Sequence, residues 1–166
     1  MKPAAFVFDL DGTLACLPIN WEGLFEELKN IMHVDVIRPL VEVISRTDEK
    51  TRKEVFASWD IAELAIFEKV TACSDGIRLY QESKGRPKAL VTLQGKKVVK
   101  IIMERFGLSF DAVVTREDSL SREEQLTIVI EKLKIPFKEV LFVGNADSDE
   151  AAAKKVGCQF LRVKNF

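Results

Sequence analysis

Ala4-Ala5-Phe6-Val7-Phe8-Asp9-Leu10-Asp11-Gly12-Thr13 is the stretch that decides the fold. Its short, uninterrupted apolar run predicts a strand that is buried on both faces, as in a parallel sheet. Two carboxylates, Asp9 and Asp11, follow the strand directly, and Gly12 allows the chain to turn. Ligand sites in open α/β sheets lie beyond the carboxyl ends of the strands, so we expect the functional site here.

Two acids separated by one residue repel each other and lose solvation when they are buried. Such a pair is expected where a cation offsets the charge, or where the two acids divide nucleophile, acid and base roles between them. The alternative is that Asp9 and Asp11 serve only as turn and helix-capping residues. The apolar run before them and Gly12-Thr13 after them favour the functional interpretation.

Composition limits the classes of protein to which the chain can belong. Hydrophobic residues make up 47% of the 166 residues and charged residues 31%, which predicts one compact domain, or a core with a modest insert. The net charge of −1 provides no attraction to nucleic acid or an anionic membrane. The three cysteines have no zinc-like spacing. No apolar stretch approaches the roughly 20 residues of a membrane span, and the N-terminal run is too short for a signal peptide. We therefore expect a cytoplasmic protein without nucleic-acid or membrane partners.

Strands and helices alternate from residue 74 onward. Apolar runs and turn residues predict strands over 88–93, 111–115, 140–143 and 160–163, and helices over 77–83, 95–106, 121–134 and 148–156. Alternation of this kind implies right-handed crossovers and a parallel sheet with helices on both faces.

Residues 15–72 interrupt this alternation. Apolar positions recur at helical spacing over 21–28, 36–44 and 47–70, and no alternating strand pattern is present. The predicted fold is thus α/β, with a Rossmann-like parallel-sheet core over 1–14 and 73–166. A small helical bundle over 15–72 is inserted after the first strand.

Polar residues gather at the carboxyl ends of the predicted strands or in the loops that follow them. Besides the two acids of the first strand, they include the hydroxyl of Thr92, the guanidinium of Arg122 and the polar run 144–149. Phosphoryl transfer needs an in-line nucleophile, donors for the phosphoryl oxygens and positive charge. Hard oxygen ligands favour Mg²⁺, which lets a carboxylate approach a phosphate.

These motifs resemble those of the haloacid dehalogenase-like hydrolase superfamily. Residues 9–13 are similar to its first signature, DxDGT, and 90–92 to its second, an apolar strand that ends in Thr or Ser. Residues 143–149 are similar to its fourth, GDxxxD. The order of the motifs matches along the whole chain.

The resemblance implies a role for each residue of the first two motifs. Asp9 would attack phosphorus and form an aspartyl-phosphate, and Asp11 would protonate the leaving oxygen and then activate water. Gly12 and Thr13 would shape the turn at the substrate, and Thr92 would donate to a phosphate oxygen. The segment 15–72 stands where many members carry a helical cap that closes over the site.

The resemblance also implies a Mg²⁺ site, made by Asp9, the backbone carbonyl of Asp11, Asn145 and Asp149. Asn145 stands where the family usually has aspartate. An asparagine carbonyl can bind Mg²⁺ but adds no charge, which should lower metal affinity, and Asp147 could compensate.

The third motif, usually a lysine, is also different. Arg122 is the best candidate for that cation and for binding the substrate phosphate, although a guanidinium is larger and planar. Lys96, Lys97 and Arg116 are weaker candidates. Arg122 also lies in the first turn of a helix, where it could be a solvated surface charge.

We therefore predict Mg²⁺-dependent hydrolysis of a small phosphorylated metabolite. The dehalogenating members of the family lack the second acid, so Asp11 favours phosphate esters. One alternative is a sugar phosphomutase, which would need an acceptor-activating group from the helical segment, where His33 is the sole histidine. Another is a catalytically weak protein that binds phosphate or a partner. The aromatic residues of 15–72 are expected in the core of the bundle, although Trp21 could face the cleft.

Overall fold

A computed structural model describes residues 2–164 of the chain. Within that range the strands are β1 (Ala5–Phe8), β2 (Ala15–Cys16), β3 (Thr71–Ala72), β4 (Lys88–Val91), β5 (Ala112–Val114), β6 (Val140–Gly144) and β7 (Gln159–Arg162). The five longer strands form one parallel sheet in the order β5-β4-β1-β6-β7. The predicted α/β fold with a parallel sheet is therefore confirmed.

Helices connect these strands and cover both faces of the sheet. They are α1 (Trp21–Met32), α2 (Leu40–Ser45), α3 (Glu49–Leu64), α4 (Ser74–Glu82), α5 (Lys96–Phe106), α6 (Arg122–Leu133) and α7 (Asp147–Val156). Single 3-10 turns lie at Phe67–Lys69 and Phe137–Glu139. No helix within residues 2–164 is both long enough and apolar enough to cross a membrane.

The first strand is the centre of the sheet. Phe8 is in register with Leu90 of β4 and with Val143 of β6, so the carboxyl ends of these three strands meet. The backbone N–H of Asp9 extends this ladder by donating to the carbonyl of Val143 at 3.0 Å. The register thus brings the residues that follow β1, β4 and β6 to one edge of the sheet.

Alternating side chains of β1 enter two separate cores, as expected for a strand that is buried on both faces. Phe6 and Phe8 pack in the cluster shared with α1, α3 and α5. Ala5 and Val7 pack in the cluster shared with α6 and α7. Because this strand is covered on both sides, its end is held rigidly, and so are the acids that follow it.

Residues 17–70, the helical insert, differ from the prediction in two respects. The helix expected over 36–44 is only Leu40–Ser45, because Pro39 disfavours helical geometry in the residue before it. We also predicted no strand in 15–72, which is wrong. The short strands β2 and β3 pair antiparallel and form the ribbon that connects the insert to the sheet. Strands of two residues are too short to show an alternating pattern.

The insert packs on itself and on the sheet domain. α1 lies against α3, and α3 lies against α5. Trp59 is 1% exposed within this interface, and its ring makes an edge-on contact with Trp21. Trp21, Phe25, Phe56 and Trp59 thus pack in the core of the insert, as the sequence predicted, whereas Phe67 is exposed.

Candidate active site

Asp9 is a buried carboxylate, 5% exposed, at the end of the central strand. One of its oxygens, Oδ2, accepts a hydrogen bond from the hydroxyl of Thr13 at 3.3 Å. The other, Oδ1, accepts one from Nη2 of Arg122 at 3.0 Å. The first strand, its turn and α6 therefore meet at this carboxylate.

The turn after Asp9 requires glycine for two reasons. Gly12 has φ +82°, which is in the left-handed region. A β-carbon at this position would also collide with the side-chain amide of Asn145. The carbonyl of Leu10 accepts the N–H groups of Leu14 and Ala15, which closes the turn. The predicted role of Gly12 in the turn is thus seen in the structure.

Arg122 connects three side chains of the site. In addition to its bond to Asp9, its Nε donates to Oδ1 of Asp149 at 3.0 Å and its Nη1 to Oε1 of Gln125 at 2.8 Å. Its side chain is only 17% exposed. Arg122 is therefore not a solvated surface charge, and it supplies the positive charge between two buried carboxylates.

Both oxygens of the Asp149 carboxylate accept hydrogen bonds, as those of Asp9 do. Its Oδ2 accepts the backbone N–H groups of Asn145 and Ala146, at 3.2 and 3.1 Å, at the start of α7. A β-carbon on Gly144 would collide with its carboxyl group. The carboxylate thus satisfies free N–H groups of the helix N-terminus while it pairs with Arg122.

Asp11 lines the same cleft as Asp9. Its Oδ1 accepts the backbone N–H of Leu17 at 3.0 Å. Burial raises the pKa of the Asp11 carboxyl above its usual range, although hydrogen bonds from the backbone of Leu17 and Gly12 oppose the shift. A raised pKa favours the protonated form of the carboxyl group, which suits it to donating a proton.

Thr92 lies near the site, but its hydroxyl is engaged. It donates to Oε1 of Gln94, and it accepts the backbone N–H of Gln94 at 3.1 Å. Thr92 is fully buried, and Gln94, not Thr92, is among the residues that line the cleft. The donation of the Thr92 hydroxyl to a phosphate oxygen stays a prediction.

The four predicted metal ligands differ in how freely their oxygens could bind an ion. The Thr13 hydroxyl lies 3.3 Å from Oδ2 of Asp9 and 3.5 Å from Oδ1 of Asn145, so these two oxygens converge. The carboxylates of Asp149 and Asp11 are bonded to other groups, as described above. Among residues 2–164, no three acidic, histidine or cysteine side chains cluster closely enough to form a metal site.

The chemistry of the donors nevertheless fits Mg²⁺. Burial, together with the charge of Asp149, raises the pKa of Asp9 to about 7, although Arg122 opposes the shift. A nucleophilic carboxylate must be ionised, and a further cation beside Asp9 would favour that form. The Asp9 carboxylate, the Asp11 carbonyl and the Asn145 amide oxygen are hard ligands of the kind that Mg²⁺ prefers.

Other predicted residues lie away from this arrangement. Asp147, considered as a replacement ligand, is exposed and pairs with Arg162 at 2.8 Å. Of the alternative cations, Lys96 and Lys97 are exposed, and Arg116 is buried against the insert. His33 is exposed at the end of α1 and does not line the cleft.

The cleft in front of Asp9 has a volume of about 420 Å³. Its floor carries the charged groups of the sheet domain described above. Its opposite wall comes from the insert and consists of Trp21, Pro39, Leu40, Val41 and Trp59. The expectation that Trp21 could face the cleft is thus met, whereas the position of Trp59 in this wall was not anticipated.

Two glutamines of the site were missed by the sequence reasoning. The side-chain amide of Gln125 donates to the carbonyls of Thr92 and Ser119, at 2.8 and 2.9 Å. Gln125 follows Arg122 by three residues in α6, so the sequence could have predicted that both lie on the same face of that helix. The turn that brings Gln94 back onto Thr92 has no comparable signal in the sequence.

A sequence model of the haloacid dehalogenase-like hydrolase family matches residues 19–163. An uncharacterized hydrolase of Saccharomyces cerevisiae is 28% identical to this chain, over 97% of this chain and 77% of the yeast protein.

Two solved structures superimpose on most of the chain. CbbY from Rhodobacter sphaeroides, in complex with phosphate, has a TM-score of 0.70 at 18% identity and covers 99% of this chain and 88% of its own. A candidate phosphoglycolate phosphatase from Lactobacillus plantarum has a TM-score of 0.71 at 16% identity, over 96% and 86% of the two chains. At these identities the structural likeness shows a common fold.

Proposed function

This chain belongs to the haloacid dehalogenase-like hydrolases, and we propose that it is a magnesium-dependent phosphatase that acts on a small phosphomonoester. The observation that carries the proposal is the pairing of Asp9 with Arg122 beside Asp11 in one cleft. It combines a buried nucleophile, a fixed cation and a second acid, which is the set that phosphoryl transfer requires.

In the first step, a carboxylate oxygen of Asp9 attacks phosphorus and the bond from phosphorus to the alcohol oxygen breaks. Asp11 donates its proton to the departing oxygen, which leaves as a neutral alcohol. Arg122 lies within hydrogen-bond distance of Asp9, so it can donate to the phosphoryl oxygens as they approach. The product of this step is an aspartyl-phosphate.

In the second step, water attacks the phosphorus of the aspartyl-phosphate. Asp11, now ionised, takes a proton from that water, and the bond from phosphorus to Asp9 breaks. Inorganic phosphate leaves and both carboxyl groups return to their starting states. The Leu17 N–H fixes one oxygen of Asp11 in place, which orients the other for proton transfer.

Asp9, the backbone carbonyl of Asp11 and the side chain of Asn145 would hold Mg²⁺. When bound, the ion offsets the negative charges of the carboxylate and the phosphate that have to meet. Because Asn145 is neutral, we expect weaker metal binding than an aspartate at that position would give.

The helical insert would act as the cap that closes over the cleft and excludes water. Its wall faces Asp9 across the cleft, and the ribbon β2–β3 connects it to the sheet. The likeness to CbbY, solved with phosphate, and to a candidate phosphoglycolate phosphatase supports phosphate esters as substrates.

Release of inorganic phosphate from 4-nitrophenyl phosphate tests the proposal. The purified protein should be active with Mg²⁺ and inactive with EDTA. Asp9→Asn should abolish turnover while circular dichroism shows an intact fold, and Asp11→Asn should reduce it severely. Asp35→Asn, which changes an exposed acid of the insert, is the matched control and should retain full activity.

Three results would contradict the proposal. Turnover in Asp9→Asn would remove the nucleophile from its role. Tight binding of phosphate without hydrolysis of any ester in excess Mg²⁺ would indicate a binding protein. Interconversion of sugar phosphates without free phosphate would indicate a phosphomutase, which the exposed position of His33 outside the cleft disfavours.

A further inference from the structure

We propose that the alcohol half of the substrate is an uncharged, apolar group, either aromatic or branched aliphatic. This inference rests on the proposed phosphatase activity and concerns the part of the cleft that faces Asp9. It separates this chain from enzymes that act on sugar phosphates or on phosphorylated carboxylic acids.

The two sides of the cleft differ in chemistry. All the charged side chains that line it, Asp9, Asp11, Arg122 and Asp149, belong to the sheet domain. The lining residues of the insert are two tryptophans, a proline, a leucine and a valine. A phosphoryl group bound at Asp9 and Arg122 would therefore extend its ester group toward an apolar wall.

The two tryptophans of this wall pack against each other, and Trp21 also packs against a third aromatic ring. The ring centroids of Trp21 and Trp59 are 6.0 Å apart and the rings cross at 75°, while Trp21 also packs on Phe25 at 5.6 Å. The indole N–H of Trp59 is buried and has no hydrogen-bond partner within residues 2–164, so it is screened from the cleft. The Trp59 ring therefore adds apolar character to this wall and offers no hydrogen-bond donor to the cleft.

The charged groups of the insert point to other surroundings. Glu22, Glu26 and Lys29 line a different depression, which α1 forms with residues 35–38. The guanidinium of Arg38 lies over the ring of Phe25 at 5.3 Å. Within the described residues, the insert therefore contributes no cation to bind a substrate carboxylate in this cleft.

An apolar wall discriminates against esters whose polar groups would have no hydrogen-bond partner in the cleft. Each sugar hydroxyl that enters without a partner loses its bonds to water, which costs about tenfold in transition-state binding. A carboxylate without a cation is penalised more strongly. The neutral polar side chains of the lining, Gln94, Asn145 and Ser148, all belong to the sheet domain, and Gln94 already accepts from Thr92. The volume of about 420 Å³ suits a small ligand.

The test compares three esters that all leave as primary alcohols: 2-phenylethyl phosphate, glucose 6-phosphate and phosphoglycolate. Similar leaving groups keep the chemical step comparable, so kcat/KM reports on recognition of the alcohol. We expect 2-phenylethyl phosphate to be preferred by about 100-fold or more over both other esters, because at least two glucose hydroxyls, or the glycolate carboxylate, would lack a partner. The preference should appear mainly in KM if the wall binds ground state and transition state alike.

A pair of substitutions locates the preference in the wall. Leu40→Lys places an ammonium group on the apolar side of the cleft and should lower the ratio of phenylethyl to glycolate activity by about tenfold or more. Val36→Lys adds the same charge to the insert at a residue that is 69% exposed and outside the cleft, and it should leave the ratio unchanged.

The outcomes separate this inference from the proposed function. Equal or faster hydrolysis of glucose 6-phosphate or phosphoglycolate would overturn the apolar specificity, and phosphatase activity would still stand. A ratio that is the same in Leu40→Lys and in the wild type would also overturn it. No hydrolysis of any of these esters or of 4-nitrophenyl phosphate would overturn both.

Discussion

Arg116 and Glu63 form an ion pair between the sheet domain and the helical insert, and neither side chain is exposed to solvent. Nη1 of Arg116 lies 2.8 Å from Oε1 of Glu63. The same guanidinium pairs with Asp60 and lies over the ring of Trp59 at 4.4 Å. The backbone N–H of Gly95 also donates to Glu63, at 3.1 Å. The loops after β4 and β5 are thus joined to α3.

This pair predicts a pH-dependent stability. Burial raises the pKa of Glu63 from 4.5 to about 7, even though Arg116 opposes the shift. The folded state therefore binds this proton more tightly than the unfolded state, so stability falls as the pH rises from about 4.5 to about 7. We expect wild type to lose on the order of 1–3 kcal/mol across this range relative to Glu63→Gln, by urea unfolding.

Glu63→Gln keeps an acceptor for Arg116 and Gly95 but cannot ionise, which makes it the matched variant. Other buried acids, among them Asp9, also titrate in the wild type, so the difference between the two proteins is the relevant quantity. Parallel curves of unfolding free energy against pH would show that Glu63 does not titrate in this range.

Arg122 predicts an asymmetry between two substitutions. Arg122→Ala leaves the carboxylates of Asp9 and Asp149 facing each other without a cation, and kcat/KM for 4-nitrophenyl phosphate should fall by about 100-fold or more. Arg122→Lys restores the charge, but one ammonium group cannot reproduce three separate hydrogen bonds, so a loss of about tenfold is expected. Arg78→Ala, on the surface of α4, is the control. Full activity in Arg122→Ala would exclude Arg122 from catalysis.

Much of the fold could be predicted from the sequence, because its signals are local. The helix predicted over 95–106 is α5, which ends at Gly107 with φ +65°. The helix predicted over 121–134 is α6, which is capped by the Ser121 hydroxyl accepting from the N–H of Glu124. Where two-residue strands were present, as in β2 and β3, the pattern was too short to detect.

Residues of the candidate site could be predicted where the sequence places them at the end of a strand or in the loop that follows it. Asp9, Asp11 and Arg122 meet in one cleft because strand ends meet at one edge of a parallel sheet. The pair of Arg116 with Glu63 could not be foreseen. Both residue types are usually exposed, and nothing local shows that a loop after β5 reaches a helix of the insert 53 positions away.

Substitution of Gly12 should reduce activity by more than backbone strain alone would cause. Gly12 and Gly85 have nearly the same φ, +82° and +83°, but only a β-carbon on Gly12 collides with a neighbour, Asn145. Gly85→Ala should cost about 1–2 kcal/mol of stability and leave activity unchanged. Gly12→Ala should lose more stability and at least about 100-fold in kcat, because it displaces Asn145 from Asp9. Equal effects of the two substitutions in unfolding and activity assays would contradict the close approach.

Cys16 and Cys73 predict a disulfide under oxidising conditions, since their Sγ atoms are 3.3 Å apart, with Cys16 in β2 and Cys73 directly after β3. With hydrogen peroxide, the two thiols lose two protons and two electrons to form the S–S bond, and the peroxide is reduced to two water molecules. Burial raises the pKa of the Cys73 thiol to about 12, so the reaction should be slow at neutral pH and faster at about pH 9. Mass spectrometry of proteolytic peptides should find Cys16 joined to Cys73 and released by dithiothreitol. Cys158→Ser should behave like wild type, and Cys16→Ser should give no intramolecular bond. Peroxide-treated wild type with both thiols still free at about pH 9 would refute the prediction.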